Sequence, residues 1–358
     1  MTTPIRVLLV GAGHMGTAHG RALMAIDGFD LCGIVTRGES GKRLARELGG
    51  LPHHQAFEEA LAATRPDAVA IASFAETHVP FARAALEAGC HVFVEKPLAD
   101  NVAEAAELID LAKRKSRVLV VGYILRHHPS WQSFVVRART LGKPLVMRMN
   151  LNQQSQGPEW STHRSIMETT SPIVDCGVHY VDVMAQMTEA KATRVHAIGA
   201  RLTDDLKPGM YNYGQLQITF EDGSIGWYEA GWGPMMSETA FFIKDVIGPN
   251  GALSIESGLE AAGTDSSDVN LHTITSRIRH HHSEVDDDAM LARNDDLIET
   301  ADEPDHDQLC LREQRWFLQA IHGRADVAVH LENVLESLRI VLAADQSIRT
   351  GKVVELSA

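Results

Sequence analysis

Residues 5–16 read IRVLLVGAGHMG. Residues 5–10 are mostly apolar and rich in β-branched types, the composition of a buried strand. Gly11, Gly13 and Gly16 follow at the spacing GxGxxG, and a helical stretch near 15–26 opens behind them. Each glycine answers a separate need. Gly11 permits a tight turn, Gly13 lets the backbone approach a pyrophosphate, and Gly16 lets the helix close on the strand. The helix N-terminus then offers N–H groups and a partial positive charge to the phosphates. His14 and Met15 lie inside the loop and count with it as cofactor contacts. The glycine spacing alone is weak, but strand and helix at its two ends make it a dinucleotide-binding signal.

Outward from this loop, strands and helices alternate up to residue 122. LCGIV (31–35), AVAIAS (68–73), HVFV (91–94) and RVLVVG (117–122) read as strands. Helices are expected at about 42–48, 57–63, 78–88 and 102–115, with glycine stops at Gly49 and Gly89 and Asp100 or Asn101 as N-cap. Strands apolar throughout and separated by helices predict a parallel sheet covered on both faces, a doubly wound domain over 1–124.

The pattern then changes. A helix near 130–140 leads to PLVMRMNLN (144–152), ATRVHAIGARL (192–202), GQLQITF (214–220), SIGWYEAGW (224–232) and FFIKDVIG (241–248), with a hairpin signal at Glu221-Asp222-Gly223. One helix is expected at about 172–188. These runs predict a second α+β domain over 125–358 with a large, mostly antiparallel sheet. Residues 262–308 are acidic and polar and read as surface strand and loop of uncertain order. Two helices, about 308–322 and 331–346, finish the chain.

Composition narrows the partners. The 358 residues carry a net charge of −14, with 44% hydrophobic and 22% charged residues. No basic cluster interleaved with aromatics appears, which argues against nucleic acid or an anionic membrane as partner. No apolar run approaches a membrane span. Cys32, Cys90, Cys176 and Cys310 form no CxxC pair, so neither a disulfide framework nor a zinc site is expected. The N-terminus lacks a secretory leader pattern, and a cytoplasmic protein is expected. His280, His281 and His282 read as a solvated run, because three adjacent side chains on a regular element cannot face one ion. No metal site is predicted.

Three further stretches carry chemistry. About 20 residues past the glycine loop, where a carboxylate would bind a ribose 2′-hydroxyl, the chain has Thr36-Arg37. Without that carboxylate a 2′-phosphate is not repelled, and Arg37, with Lys42 or Arg43, could pair with it; the residues lean towards NADP over NAD. Glu95-Lys96-Pro97 ends the HVFV strand, at the edge where open α/β sheets bind ligands. An ammonium there can donate to a substrate hydroxyl, and desolvation and an oxidised nicotinamide would lower its pKa. A surface lysine in a turn is the plainer alternative. Asp175 and His179 stand four apart in PIVDCGVHYVDVM and would share a helix face. An imidazole can take a hydroxyl proton as hydride leaves the same carbon. A buried histidine–aspartate hydrogen bond is the competing account. Asp182 is expected to face solvent, and His78 to cap or pack.

Taken together, the glycine loop, THVPFARAALEAGCHVFVEKPLA (77–99), VGY (121–123), DCGVH (175–179) and the closing RTGKVVEL (349–356) resemble the glucose–fructose oxidoreductase, inositol dehydrogenase and MocA-like (Gfo/Idh/MocA) family. The resemblance implies a Rossmann domain followed by a sheet domain, and NAD(P)-dependent hydride transfer at a carbinol or carbonyl carbon of a sugar, cyclitol or similar polyhydroxylated molecule. It implies Lys96, Asp175 and His179 as the catalytic residues, and Ser73, Glu95 and Lys96 among the cofactor contacts. It also admits an NAD-dependent glycosidase that recycles its cofactor, or a dinucleotide-binding regulator. Ser73-Phe74-Ala75 departs from the family's usual Thr-Pro-Asn, and Thr170-Ser171-Pro172 replaces a glycine-rich run. Tyr123 and Arg126, at the domain handover, and Trp160, His163 and Arg164, in an expected loop, are candidate substrate contacts. The sheet domain offers a surface for a homo-oligomer, dimer or tetramer.

Overall fold

The computed structural model describes residues 3–237, 242–256, 266, 268–300 and 302–356. Those of the expected strand at 241–248 and the acidic stretch at 262–308 that fall in the gaps lie outside the described residues. The chain divides into two compact units, 1–127 with 304–335 and 128–303 with 336–358.

In the first unit the order is β1 (Ile5–Val10), α1 (His14–Met24), β2 (Phe29–Val35), α2 (Glu39–Glu47), β3 (His53–His54), α3 (Phe57–Thr64), β4 (Ala68–Ile71), α4 (His78–Glu87), β5 (His91–Val94), α5 (Val102–Lys115) and β6 (Leu119–Val121). The strands form one sheet in the order β3-β2-β1-β4-β5-β6, parallel throughout. Order reverses between β1 and β4, the switch point of a doubly wound sheet. Asn101 caps α5, its side-chain oxygen accepting from the Glu104 N–H at 2.9 Å. The short β3 escapes sequence reading because two residues are too few to show alternation.

The second unit holds α6 (Pro129–Ala138), β7 (Val146–Gln153), α7 (Gly157–Ile166), α8 (Pro172–Asp175), α9 (Gly177–Thr188), β8 (Ala192–Ala200), β9 (Tyr213–Phe220), β10 (Ile225–Trp232), β11 (Lys244–Gly248), β12 (Gly251–Glu256), β13 (Arg277–His282) and β14 (Asp296–Glu299). With the short C-terminal β15 (Val354–Glu355), the nine strands among the described residues run β14-β13-β12-β11-β7-β10-β9-β8-β15. Among the described residues the β7–β10 pair alone is parallel; the other pairs are antiparallel. The hairpin at Glu221–Gly223 joins β9 to β10, with the Phe220 N–H donating to the Ser224 carbonyl at 2.9 Å.

Two C-terminal helices, α10 (His306–Ile321) and α11 (Ala328–Thr350), complete the molecule. The expected division, 1–124 and 125–358, left both with the second domain. In the structure residues 304–335 lie with the first unit. The physical reason is the apolar face of α10: Leu309, Cys310 and Phe317 are fully buried, and Phe317 joins Leu9, Ile34, Phe93 and Val120 in one core.

Candidate active site

The carboxyl ends of β1, β2, β4 and β5 lie along one edge of the parallel sheet. They carry Gly11, Thr36, Ser73 and Glu95-Lys96-Pro97. Gly11 has φ +106°, and a Cβ there would lie 2.1 Å from the Ala72 carbonyl oxygen, so the turn demands glycine. A Cβ on Gly16 would lie 2.5 Å from the Gly11 carbonyl oxygen, which fixes how closely α1 packs. Gly13 is different: a Cβ there would meet nothing within 4 Å. It is the N-cap of α1, no side chain caps the helix, and the first turn holds no acid. The helix therefore presents its first N–H groups to open space without a carboxylate to repel an anion. His14 is exposed and Met15 half-buried beside it. These features fit a dinucleotide pyrophosphate.

At the end of β2, the Thr36 hydroxyl accepts from the Gly38 N–H at 3.2 Å. Arg37 is exposed and, among the described residues, makes no hydrogen bond or ion pair. Lys42 is committed to Glu39 at 2.6 Å. Ser73 Oγ lies 2.6 Å from Thr77 Oγ1.

Glu95 is buried, at 6% exposure, and its carboxylate is built into the interior. His19 Nε2, on α1, lies 2.6 Å from Glu95 Oε1, and Gln314 Nε2, on α10, lies 3.1 Å from His19 Nδ1. The Gln314 amide donates to Nδ1, which leaves the ring proton on Nε2 to donate to Glu95. Glu95 Oε2 accepts from the Lys96 N–H at 3.2 Å. Gly122 makes room, since a Cβ there would lie 3.1 Å from Oε1. Lys96 itself is half-buried and the Lys96–Pro97 peptide is cis. Behind it, His78 Nδ1 lies 2.7 Å from the Pro97 carbonyl oxygen and Nε2 lies 3.0 Å from that of Ser73. Carbonyl oxygens only accept, so the ring nitrogen that carries the proton donates to the one it faces. Burial holds the His78 pKa below the ordinary value, ahead of the upward pull of the two carbonyls. His78 is thus a brace joining two candidate loops.

Beside them α10 carries Glu313, at 1% exposure, with neither carboxylate oxygen hydrogen-bonded among the described residues. Burial, and then the nearby Glu95, push its pKa well above the usual carboxylate range, so the group is held as the neutral acid. His19, Cys310 and Glu313 stand close enough to share a metal ion. Both ring nitrogens of His19 are already hydrogen-bonded, so neither is open to an ion.

In the second unit the expected single helix at 172–188 is two. Cys176 ends α8 and precedes α9, with Asp175 the last residue of one and His179 in the first turn of the other. The break follows from Gly177, where a Cβ would lie 3.2 Å from the Tyr228 ring and 3.3 Å from Val341, so the chain closes tightly on β10 and α11. Both Asp175 and His179 are half-buried. The start of α8 is pinned by Ser171, whose Oγ accepts from the Val174 N–H at 3.2 Å and donates to Asp345 Oδ1 at 2.8 Å. Tyr211 also donates to Asp345. Asp182 does not face solvent as expected: it is 1% exposed and accepts from Gln186 Nε2 at 2.9 Å, because it falls on the packed side of α9.

The weaker candidates separate. Tyr123 is buried with its ring edge-on to His330. Arg126 is half-buried, and its charge assists the burial that pulls neighbouring His127 down to about 4. Trp160, His163 and Arg164 stand on helix α7, not in a loop; α7 buries no residue fully and so shows no apolar stripe in sequence. His163 stacks on Trp232 at 4.4 Å and lies 2.9 Å from Ser155 Oγ through Nδ1. The Arg164 guanidinium lies over Trp160 at 5.7 Å.

Sequence reasoning missed His19, Gln314 and Glu313. The available signal was a polar residue on an apolar stripe. His19 shares the buried side of α1 with Gly16 and Leu23, and Glu313 and Gln314 share that of α10 with Leu309, Cys310 and Phe317.

A parallel sheet with an uncapped glycine loop at its switch point, paired with a largely antiparallel unit, is the architecture of a two-domain dinucleotide-binding oxidoreductase. Comparison with known proteins agrees. Residues 5–123 match the family model described as "Oxidoreductase family, NAD-binding Rossmann fold", and residues 134–252 match the GFO/IDH/MocA C-terminal domain. The chain belongs to the Gfo/Idh/MocA oxidoreductase family. It is 25% identical to a scyllo-inositol 2-dehydrogenase (NAD(+)) of Bacillus subtilis, over 99% of this chain and 97% of that protein. It is 23% identical to a D-glucoside 3-dehydrogenase of Escherichia coli, over 99% and 98%. Among solved structures, myo-inositol 2-dehydrogenase from Lactobacillus plantarum superposes with a TM-score of 0.77 at 19% identity, covering 99% of this chain and 100% of that one. Scyllo-inositol dehydrogenase from Lactobacillus casei, with NAD(H) and scyllo-inositol bound, gives 0.75 at 19% identity, covering 99% of both chains. Among the described residues no helix is long and apolar enough to cross a membrane.

Proposed function

We propose that this protein is an NAD(P)-dependent dehydrogenase or reductase acting on a CH–OH carbon of a sugar, cyclitol or related polyhydroxylated molecule. The observation that carries the reading is the Glu95-Lys96-Pro97 turn. Its carboxylate is locked to α1 through His19, so Lys96 leaves the carboxyl end of β5 at a fixed point. Relatives named as inositol and glucoside dehydrogenases support the substrate class.

The nicotinamide, when bound, supplies the hydride-exchanging carbon. Gly13 and the first turn of α1 take its pyrophosphate, with His14, Met15 and Ser73 as further contacts. Lys96 donates a hydrogen bond to the reacting oxygen and disperses charge that develops there. His179 takes the hydroxyl proton in oxidation and returns it in reduction. Asp175 accepts from a neighbouring substrate hydroxyl and so sets which carbon reacts. Arg37 would pair with a 2′-phosphate, which favours NADP over NAD. Trp160 and Arg164 serve as further substrate contacts.

The test is turnover followed at the reduced-nicotinamide absorbance across a panel of sugars, cyclitols and their keto forms. Lys96→Ala should abolish turnover while cofactor still binds, and His179→Ala should lower kcat by about 10²–10⁴-fold. Turnover that survives Lys96→Ala unchanged overturns the assignment. Arg37→Ala should raise the KM for NADP and leave that for NAD unaltered.

A further inference from the structure

The His280–His282 run is resolved by strand alternation. On β13, successive side chains point to opposite faces, so His281 leaves one side and His280 and His282 leave the other. His281 lies 2.9 Å from Asp295 Oδ1 through Nδ1. The other two rings stand together, centroids 4.3 Å apart, on the face of the buried Ile278. The neighbouring β14 sets Asp296 directly opposite His280 in the ladder, which brings its carboxylate to the same face. Asp296 Oδ2 lies 2.9 Å from His282 Nε2. One ligand atom from each of the three residues falls within 4.8 Å of the other two.

The contrast with the buried cluster around His19 decides between the two groups. Both His19 nitrogens are hydrogen-bonded, whereas His280 makes no hydrogen bond among the described residues and its Nδ1 is buried. A buried ring nitrogen without a partner calls for an explanation, and a bound ion is one of the few available. We propose that His280, His282 and Asp296 form a binding site for a divalent transition metal, which clips edge strand β14 to β13.

The donor set fixes the chemical class. Two imidazoles and one carboxylate suit Zn²⁺, Co²⁺ or Ni²⁺ and are poor for Mg²⁺ or Ca²⁺, which demand oxygen. Three protein ligands leave a fourth position for water. Bonds of about 2.0–2.2 Å in a tetrahedron hold ligand atoms about 3.3–3.6 Å apart, so the site must close slightly around the ion. His280 is free of competing bonds and can make that movement. Among the described residues, Arg293 is the guanidinium already on Asp296, at 2.8 Å. That pair is exposed, contributes little, and can give way to a dication.

The experiment uses the full chain without a histidine tag, stripped by chelator and titrated with Zn²⁺, Co²⁺ and Mg²⁺. One equivalent of Zn²⁺ should bind and raise Tm in a concentration-dependent way, and Co²⁺ should develop visible d–d bands, while Mg²⁺ does neither. His280→Gln and His282→Gln should each weaken Zn²⁺ by more than about tenfold, since loss of an outer-shell partner alone costs about 10–100-fold. His281→Gln, on the opposite face, should bind as the parent does. Unchanged affinity in folded His280→Gln, or equal loss in His281→Gln, overturns the site. Should His282→Gln fail to fold, His280→Gln decides alone, because it removes no hydrogen bond.

Discussion

Glu95 shows how one residue's role depends on its surroundings. In sequence it stands beside Lys96 and counts among the cofactor contacts that the resemblance implies. In the structure it is an anchor: the His19 ring and the Lys96 amide hold its carboxylate inside the first unit. Removing the ring takes a hydrogen bond from a buried carboxylate, which costs about 1–3 kcal/mol. His19→Ala should therefore lower Tm sharply, and in protein that remains folded should cut kcat more than the KM for cofactor. Equal kcat in a folded His19→Ala protein would show that the anchor is dispensable for positioning Lys96. Glu313 gives a pH prediction. Its folded-state pKa lies well above the unfolded value, so the folded protein holds the proton more tightly. The associated stability is fully present below the unfolded carboxylate pKa, near 4.3, and is lost as pH rises towards the folded value. Glu313→Gln mimics the neutral acid and should match the parent in acid. Above that range it should become relatively more stable by up to about 1.4 kcal/mol per pH unit, read from urea midpoints across pH.

The first turn of α1 and the glycine loop before it act as one device with two kinds of glycine. Gly11 and Gly16 serve packing, since a Cβ on either would run into backbone at 2.1 Å and 2.5 Å. Gly13 faces open space and has an ordinary φ of −77°. Gly13→Ala should thus change stability by no more than about 0.5 kcal/mol, as surface substitutions do. It should still weaken dinucleotide binding, because the methyl occupies the approach of the pyrophosphate. Gly11→Ala should destabilise the fold itself. Parallel thermal melts and cofactor titrations distinguish the two; a Gly13→Ala protein that binds cofactor at parental affinity would remove Gly13 from the site. The α8–α9 break is another element-level device. Gly177 brings the chain against Tyr228 and Val341, and Ser171 with Asp345 pins the entry to α8. Ser171→Ala should cost about 0.5–2 kcal/mol for the cap alone.

At the scale of the whole chain, α10 is the element that local reading misplaced. It follows the second sheet in sequence but completes the core of the first unit through Leu309, Cys310 and Phe317. A fragment of residues 1–127 should show poor thermal cooperativity, and one joining 1–127 to 304–335 by a flexible linker should melt as a unit. Cooperative melting of the shorter fragment would contradict this division. By itself, the sequence determined the parallel sheet, the glycine loop and the position of Lys96 just past the carboxyl end of β5. Those depend on short-range pattern: unbroken apolar runs, glycine spacing, and residues within one or two turns of each other. The His19–Glu95 anchor spans 76 positions and the His19–Gln314 bond 295, so neither leaves a periodic trace in the chain. The break at Cys176 depends on what lies beneath Gly177, and the separation of His280 and His282 from His281 depends on a strand that polar composition disguised. Only the tertiary structure decided these, because burial, hydrogen-bond partners and cross-strand register belong to pairs of distant segments.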